Sequence, residues 1–171
     1  RAEPIPNNRI IRMSEVERID PFTIPNLQTG FRTLDSALKG GLPFGQLTLI
    51  SGKSGEGKST LASQFICEAV DQGYISFIYS GEMGNAQVQS WMNLQFAGQE
   101  VQAYKTSSTS DTYYKVTEAN EKRIVNWYRD KLFIMSDNYV ENDENISKTV
   151  VDAIHKVGAQ VILVDNLMTA I

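Results

Sequence analysis

The stretch SGKSGEGKST, residues 51–60, combines glycines, lysines and hydroxyl side chains at short spacing. Gly52 is followed, after four residues, by Gly57, Lys58 and Ser59, which is the G-x-x-x-x-G-K-[ST] pattern. Glycines let such a loop curl so that successive backbone N–H groups point at phosphate oxygens, and a helix that starts there directs its positive end at the same anion. The stretch therefore predicts a loop that holds the phosphates of a nucleotide.

Individual positions of this loop predict distinct roles. Lys58 would place its charge between the outer two phosphates, Ser59 would offer its hydroxyl to Mg²⁺, and Thr60 would approach an inner phosphate. A glycine-rich turn that only resembles such a loop is the alternative, but an apolar strand pattern precedes it and a helical pattern follows it. The predicted nucleotide-binding residues are Gly52, Lys53, Ser54, Gly55, Glu56, Gly57, Lys58, Ser59 and Thr60.

Two carboxylates follow apolar runs and complete the predicted chemistry. Asp165 ends VILVD, and Glu82 comes two residues after YISFIYS. Parallel strands end at the edge of the sheet where ligands bind, so both side chains are expected near the loop. Asp165 would orient the water shell of Mg²⁺, and Glu82 would orient or deprotonate the attacking water. Glu82 and Lys58 are the predicted catalytic residues, and Ser59 and Asp165 the predicted metal ligands. The alternatives are a helix N-cap for Asp165 and a solvated loop carboxylate for Glu82.

The elements that must position these residues follow from apolar spacing. Helices are predicted at 31–38, 58–72, 85–97, 117–130 and 146–157, and buried strands at 46–51, 74–80, 132–135 and 161–164. Asn85 and Thr117 are predicted N-caps, whereas 99–116 and the acidic 136–145 read as loops. Alternating strands and helices predict an α/β fold, a mostly parallel sheet with helices on both faces.

Composition bounds the class of protein. The chain has 171 residues, enough for one domain, and its net charge of −4 gives no sign of a nucleic-acid surface. Cys67 is the single cysteine, which suits a reducing cytosol, and no apolar run is long enough for a membrane span. Four prolines lie within the first 25 residues, so 1–28 is predicted to be an arm or linker before a domain over 29–171. Since the chain starts at Arg1 and stops at Ile171 after an apolar run, we expect an excised piece of a longer protein.

The sequence resembles the RecA-like ATPases, and within them the motor domain of DnaB-type replicative helicases. The resemblance lies in TGFRTLDSALKGGLPFGQLTLISGKSGEGKST (29–60), YSGEM (79–83) and VILVDNLMTA (161–170), and DNL is similar to the Walker B ending of Twinkle and phage helicases. It implies a partial RecA-like P-loop NTPase core over 29–171, truncated after the Walker B strand. Lys53 stands where that family often has arginine.

The resemblance further implies an ATP-dependent DNA helicase that uses ATP and Mg²⁺ at the interfaces of a homo-oligomeric ring, a hexamer. Single-stranded DNA would bind through loops beyond Ile171, where the family also carries its arginine finger, so the isolated chain is expected to have little activity. A primase or loader would be a partner, and the location would be cytoplasmic, in bacteria or encoded by a phage, with no membrane contact.

Other functions fit parts of the same pattern. A recombination or repair ATPase of the RecA, RadA or clock-protein kind shares the entry TGFRTLDSALKGGL. A non-hydrolysing scaffold or loader is a second alternative, but it would not need Glu82. A small-molecule kinase is a third, although no arginine-bearing lid is recognisable in the sequence.

Overall fold

The structure, a computed structural model, describes residues 11–105, 112–136 and 146–166. Within these ranges the helices α1 to α5 are, in chain order, Arg32–Ala37, Lys58–Asp71, Asn85–Ala97, Glu118–Tyr128 and Ile146–Val157. The strands β1 to β7 there are Asn26–Leu27, Leu42–Pro43, Ser76–Ser80, Val101–Lys105, Thr112–Val116, Leu132–Ile134 and Val161–Asp165. Two 3₁₀ turns precede them, Met13–Glu15 and Pro21–Thr23.

A parallel sheet carries the fold, and β3 is its central strand, with β6 on one side and β7 on the other. The register pairs Ile78 of β3 with Ile134 and with Leu163, and it pairs Ser80 with Asp165 at the carboxyl end. All three strands were expected from their apolar runs, and the predicted alternation of strands and helices is confirmed.

Helices cover both faces of this sheet because side chains of β3 alternate between them. Ile78 faces a buried cluster to which α2, α3 and α4 contribute, and Phe77 faces a second one with Ala153 of α5. The first cluster consists of Ile66, Cys67, Val70, Ile78, Val88, Met92 and Tyr128. The α/β class expected from the sequence, a parallel sheet covered on both faces, is therefore the fold of this chain.

The two predicted helix caps have different outcomes. Thr117 caps α4, since its hydroxyl accepts the backbone N–H of Asn120 at 3.4 Å. Asn85 was expected to cap α3 but is its first residue, and Gly84 is the N-cap without a side-chain bond. The Asn85 amide instead donates to the backbone oxygen of Met135 at 2.8 Å, because the end of β6 lies within reach of the helix start. It therefore ties α3 to the sheet.

The strand predicted at 46–51 is wrong, because this segment has no regular strand pairing in the structure. Residues 46–49 are exposed, with Leu47 at 91% and Leu49 at 75%, and Ile50 is half-buried beside a groove of about 190 Å³ that Leu163 of β7 also borders. An apolar run favours a strand, but a strand also needs a hydrogen-bonded neighbour, which a local pattern does not reveal.

The loop predicted at 99–116 is also wrong where the structure describes it. β4 and β5 form an antiparallel pair with Val101 opposite Val116 and Lys105 opposite Thr112. Residues 112–115 of β5 are all exposed, so neither face of this part of the strand is buried. The alternation of apolar and polar residues that identifies a half-buried strand is therefore missing. Of the acidic loop predicted at 136–145, residues 137–145 lie outside the described ranges.

Within the described ranges, no helix combines the length and the apolarity that crossing a bilayer requires.

A buried hydrogen-bonded turn leads into the fold. Thr29 is fully buried, and both its backbone N–H and its hydroxyl donate to Asp35 Oδ1, at 2.8 and 2.7 Å. Next to it, Gly30 has φ +79°, and a Cβ there would lie 2.5 Å from the carboxylate of Glu68. The side-chain amide of Gln72 bonds both the N–H and the oxygen of Gln28. The turn is thus fixed to the end of α2.

Removing the shared acceptor should destabilise the protein. Asp35→Ala leaves two buried donors of Thr29 unsatisfied, so we expect the free energy of unfolding to fall by about 2–4 kcal/mol. Urea unfolding measures this. Asp130→Ala, an exposed aspartate, is the control and should change the free energy by less than about 0.5 kcal/mol. Equal effects of the two substitutions would contradict the role given to Asp35.

A second prediction concerns the thiol of Cys67, whose pKa burial raises from 9.0 to about 12, with a smaller contribution from the charge of Glu68. The folded pKa lies above the unfolded one, so this stabilisation is complete below pH about 9 and is lost as pH rises towards 12. Between pH about 8 and about 10, wild type should lose roughly 1 kcal/mol more unfolding free energy than Cys67→Ala. Parallel loss in both proteins, measured by urea unfolding, would refute this.

Candidate functional site

The glycine-rich loop lies open to solvent at the start of α2. Gly55 and Gly57 have φ of +81° and +83°, the left-handed region that favours glycine, and residues 51–57 are exposed. Gly57 is the N-cap of α2 and no side chain caps this end, so no capping oxygen competes for the first N–H groups of the 14-residue helix. The loop therefore has the exposed backbone donors that an anion requires.

Two side chains of the loop bond the loop itself. The Lys58 ammonium donates to the backbone oxygen of Lys53 at 2.7 Å, and the Lys53 N–H donates to Glu56 Oε2 at 2.8 Å. A Cβ placed on Gly52 would lie 2.8 Å from the same Glu56 oxygen. The Glu56 carboxylate is thus folded back against the backbone of the loop, as an anion would be. Phosphate binding requires Lys58 to leave the carbonyl and Glu56 to move away.

The two predicted metal ligands face one space. Ser59, from the first turn of α2, and Asp165, the last residue of β7, both line a cavity of about 20 Å³, together with Ser80. A hydroxyl and a carboxylate are the hard oxygen ligands that Mg²⁺ takes, with water and phosphate oxygens completing its octahedron. In the part of the chain that the structure describes, no three His, Cys, Asp or Glu side chains group as a metal site. Ser59 and Asp165 thus supply oxygen donors of the type that magnesium takes, while most of the other residues that line the cavity are apolar.

Hydrogen bonds between α2 and α3 support the Ser59 end of this cavity. The Ser63 hydroxyl donates to the backbone oxygen of Ser59 at 2.7 Å and accepts from the Gln95 amide at 2.9 Å. The same amide's oxygen accepts from the Cys67 thiol at 3.5 Å. Sequence spacing gave no indication of this bridge, because Gln95 lies far from the loop along the chain.

Glu82 lies at the tip of a tight turn beyond β3. The Ser80 hydroxyl donates to the oxygen of Met83 at 2.9 Å and accepts its N–H at 3.1 Å, which closes the turn. The N–H of Gly81 donates to the backbone oxygen of Asp165 at 2.7 Å. These bonds bring Glu82 and Asp165 to the same sheet edge, as the sequence predicted.

The carboxylate of Glu82 has a partner that the sequence did not suggest. The side-chain amide of Asn166 donates to Glu82 Oε1. By contrast, no hydrogen bond or ion pair among the described residues joins Glu82 to Lys58, so these two predicted catalytic residues are not in contact. The sequence feature that could have pointed to Asn166 was its position directly after Asp165, at the end of the strand that borders β3.

Comparison with known proteins agrees with this arrangement. The family model described as "ATPase: KaiC" matches residues 27–171. The circadian clock oscillator protein KaiC of Parathermosynechococcus lividus is 40% identical over 69 residues, which are 40% of this chain and 12% of that protein. The DNA repair protein RadA of Aquifex aeolicus is 48% identical over 60 residues, 35% of this chain and 13% of that protein. Protein RecA of Crocosphaera subtropica is 38% identical over 73 residues, 43% of this chain and 20% of that protein.

The matched segments thus span between 12% and 20% of these three relatives. The family model, which matches most of the chain, shows a KaiC-type ATPase domain of the RecA-like P-loop fold. The relatives are named KaiC, RadA and RecA, so the narrower likeness to DnaB-type helicases that the sequence motifs suggested is not shown.

The position of Glu56 gives a prediction about nucleotide affinity. Glu56→Gln removes a charge that occupies the loop and repels phosphate, so ATP should bind about 3- to 10-fold more tightly, the equivalent of one weak charge-assisted hydrogen bond. Titration with a fluorescent ATP analogue measures this. Glu118→Gln, on the exposed face of α4, removes the same charge elsewhere and should leave the affinity unchanged. Unchanged or weaker binding by Glu56→Gln would show that its carboxylate does not compete with phosphate.

Proposed function

The chain belongs to the KaiC family of RecA-like ATPases, and on that premise we propose that it binds ATP with Mg²⁺ at residues 52–60 and hydrolyses it. The observation that supports this best is the sheet edge where Ser59 and Asp165 border one cavity and the turn bearing Glu82 is bonded to Asp165. In open parallel sheets this carboxyl edge is where ligands bind.

Each residue has a role in the proposed reaction. The N–H groups of residues 52–60 hold the phosphates, and Lys58 supplies positive charge to the outer two. Ser59 and Asp165 would hold the magnesium, which would supply positive charge to the phosphate oxygens. Glu82 orients the attacking water and accepts its proton as the water oxygen bonds the terminal phosphorus, while the bond from that phosphorus to the bridging oxygen breaks and ADP leaves. The loop residues Lys53, Ser54, Gly55 and Glu56 shape the cradle.

For the whole protein we propose a DNA-directed motor: an ATP-dependent helicase or translocase that works as a homo-oligomeric ring, hexameric, with primase or loader proteins as partners. The support is the YSGEM and VILVDNLMTA resemblance to replicative helicases. Residues 1–28 would be the arm and 29–171 part of the ATPase domain, in a cytoplasmic protein of a bacterium or phage. Single-stranded DNA would bind through segments outside this chain.

A recombination or repair ATPase is the second candidate. Its support is the 48% identity to a protein named DNA repair protein RadA, and the similarity to a protein named RecA. The nucleotide chemistry would be identical, so the two candidates differ only in what ATP hydrolysis does to DNA.

Two substitutions separate nucleotide binding from hydrolysis in the full-length protein. Lys58→Ala should abolish ATP binding, because it removes the cation that faces the phosphates. Glu82→Gln should keep binding but lower kcat by about 10²- to 10⁴-fold, the usual contribution of a general base. Phosphate release and nucleotide titration measure the two effects. Lys122→Ala and Glu100→Gln, both at exposed ion pairs, are the matched controls. Full turnover by Lys58→Ala would reject the ATPase proposal.

Forked DNA distinguishes the two candidate roles. A helicase should unwind the fork with ATP, and Lys58→Ala should eliminate unwinding. ATP-dependent strand exchange or branch migration without fork unwinding would favour the repair ATPase. If Lys58→Ala kept its fork unwinding or its strand exchange and branch migration at the wild-type level, both candidate roles would be contradicted.

A further inference from the structure

Asn166 meets the proposed catalytic carboxylate at the sheet edge. Its side-chain amide donates to Glu82 Oε1, and Asn166 is half-buried where Glu82 is exposed. An ionised carboxylate can only accept hydrogen bonds, so the NH₂ group of the amide must face it. Among the residues that the structure describes, Oε2 of Glu82 has no hydrogen-bond partner.

The backbone fixes both sides of this contact. β3 and β7 pair up to Ser80 and Asp165, and the N–H of Gly81 donates to the Asp165 oxygen just beyond the last pair. Asn166 and Glu82 therefore extend from two adjacent strand ends that hydrogen bonds hold in register. Backbone bonds leave the side-chain torsions of Glu82 free, and the contact with Asn166 restricts where its carboxylate lies.

We propose that Asn166 is a positioning residue for Glu82 in ATP hydrolysis. By holding Oε1, the amide sets the orientation of the carboxylate and leaves Oε2 to accept a proton from the attacking water. This inference rests on the proposed role of Glu82 as the base. If the amide instead kept Glu82 away from the attacking water, removing the Asn166 side chain would raise kcat. The two roles therefore predict changes of kcat in opposite directions.

Steady-state ATP hydrolysis by the full-length protein tests the proposal. Asn166→Ala should lower kcat at least about 10-fold, since small misplacement of a catalytic group costs up to about 10²-fold, with KM for ATP changed less than about two-fold. Asn166→Asp keeps the side-chain shape but replaces the NH₂ donor with an ionised oxygen that cannot donate to Glu82, so kcat should fall at least as far as in Asn166→Ala, again with KM changed less than about two-fold. Asn126→Asp, on the exposed side of α4, carries the same change of charge as a control.

Each outcome decides the inference. A lower kcat in both Asn166→Ala and Asn166→Asp, with KM for ATP little changed and the control unaffected, supports it. An unchanged or higher kcat in Asn166→Ala overturns it, and so does an Asn166→Asp variant that keeps the wild-type kcat. If Glu82→Gln abolishes turnover while Asn166→Ala does not, only the positioning role fails. If Glu82→Gln retains turnover, the proposed base is wrong and the inference fails with it.

Discussion

The parallel pairing of β3 with β7 is the constraint on which the candidate site depends. It places Ser80 opposite Asp165, so the two chains leave the sheet side by side. The bond from Gly81 to Asp165 extends the pairing by one step, and the hydroxyl of Ser80 then closes the turn that carries Glu82. The carboxylate of Glu82 lies more than eighty positions before Asp165 in the chain. Backbone geometry, rather than loop conformation, thereby holds it beside this candidate metal ligand.

Those parts of the fold that depend on a local pattern of apolar residues could be predicted from the sequence alone. Apolar periodicity located α2, β3 and β7, since a buried helix or strand must show it. It failed at 46–51, where no neighbouring strand pairs with the apolar run. It also failed at β4 and β5, which pair with each other although their sequences lack the alternation of a half-buried strand. At the site, the loop motif and both carboxylates could be found from type and position. Asn166 and Glu56 could not, because their contacts arise only when strands are paired and the loop is folded back.

The family match explains why proteins with different printed names share this stretch. The chain is similar to proteins named for a circadian clock, for DNA repair and RecA, and one ATPase family model matches its residues 27–171. The elements described in that region place a glycine-rich loop at a helix start beside a sheet edge, the kind of place where phosphates bind in open parallel sheets. Because one fold can serve many functions, segments that differ between these longer proteins set what each of them does.

The site divides into two parts with different physical behaviour. At the sheet edge, the positions of Glu82 and Asp165 follow from strand pairing and need no ligand. In the loop, Lys58 and Glu56 both bond the backbone of Lys53, so an entering phosphate must replace both bonds at that residue. In the proposed reaction the loop would exchange these bonds for bonds to phosphate, whereas the edge would keep its strand pairing. Substitutions in the loop would then act mainly on nucleotide affinity, and substitutions at the edge mainly on the rate of hydrolysis, because uniform binding and transition-state contacts are separable.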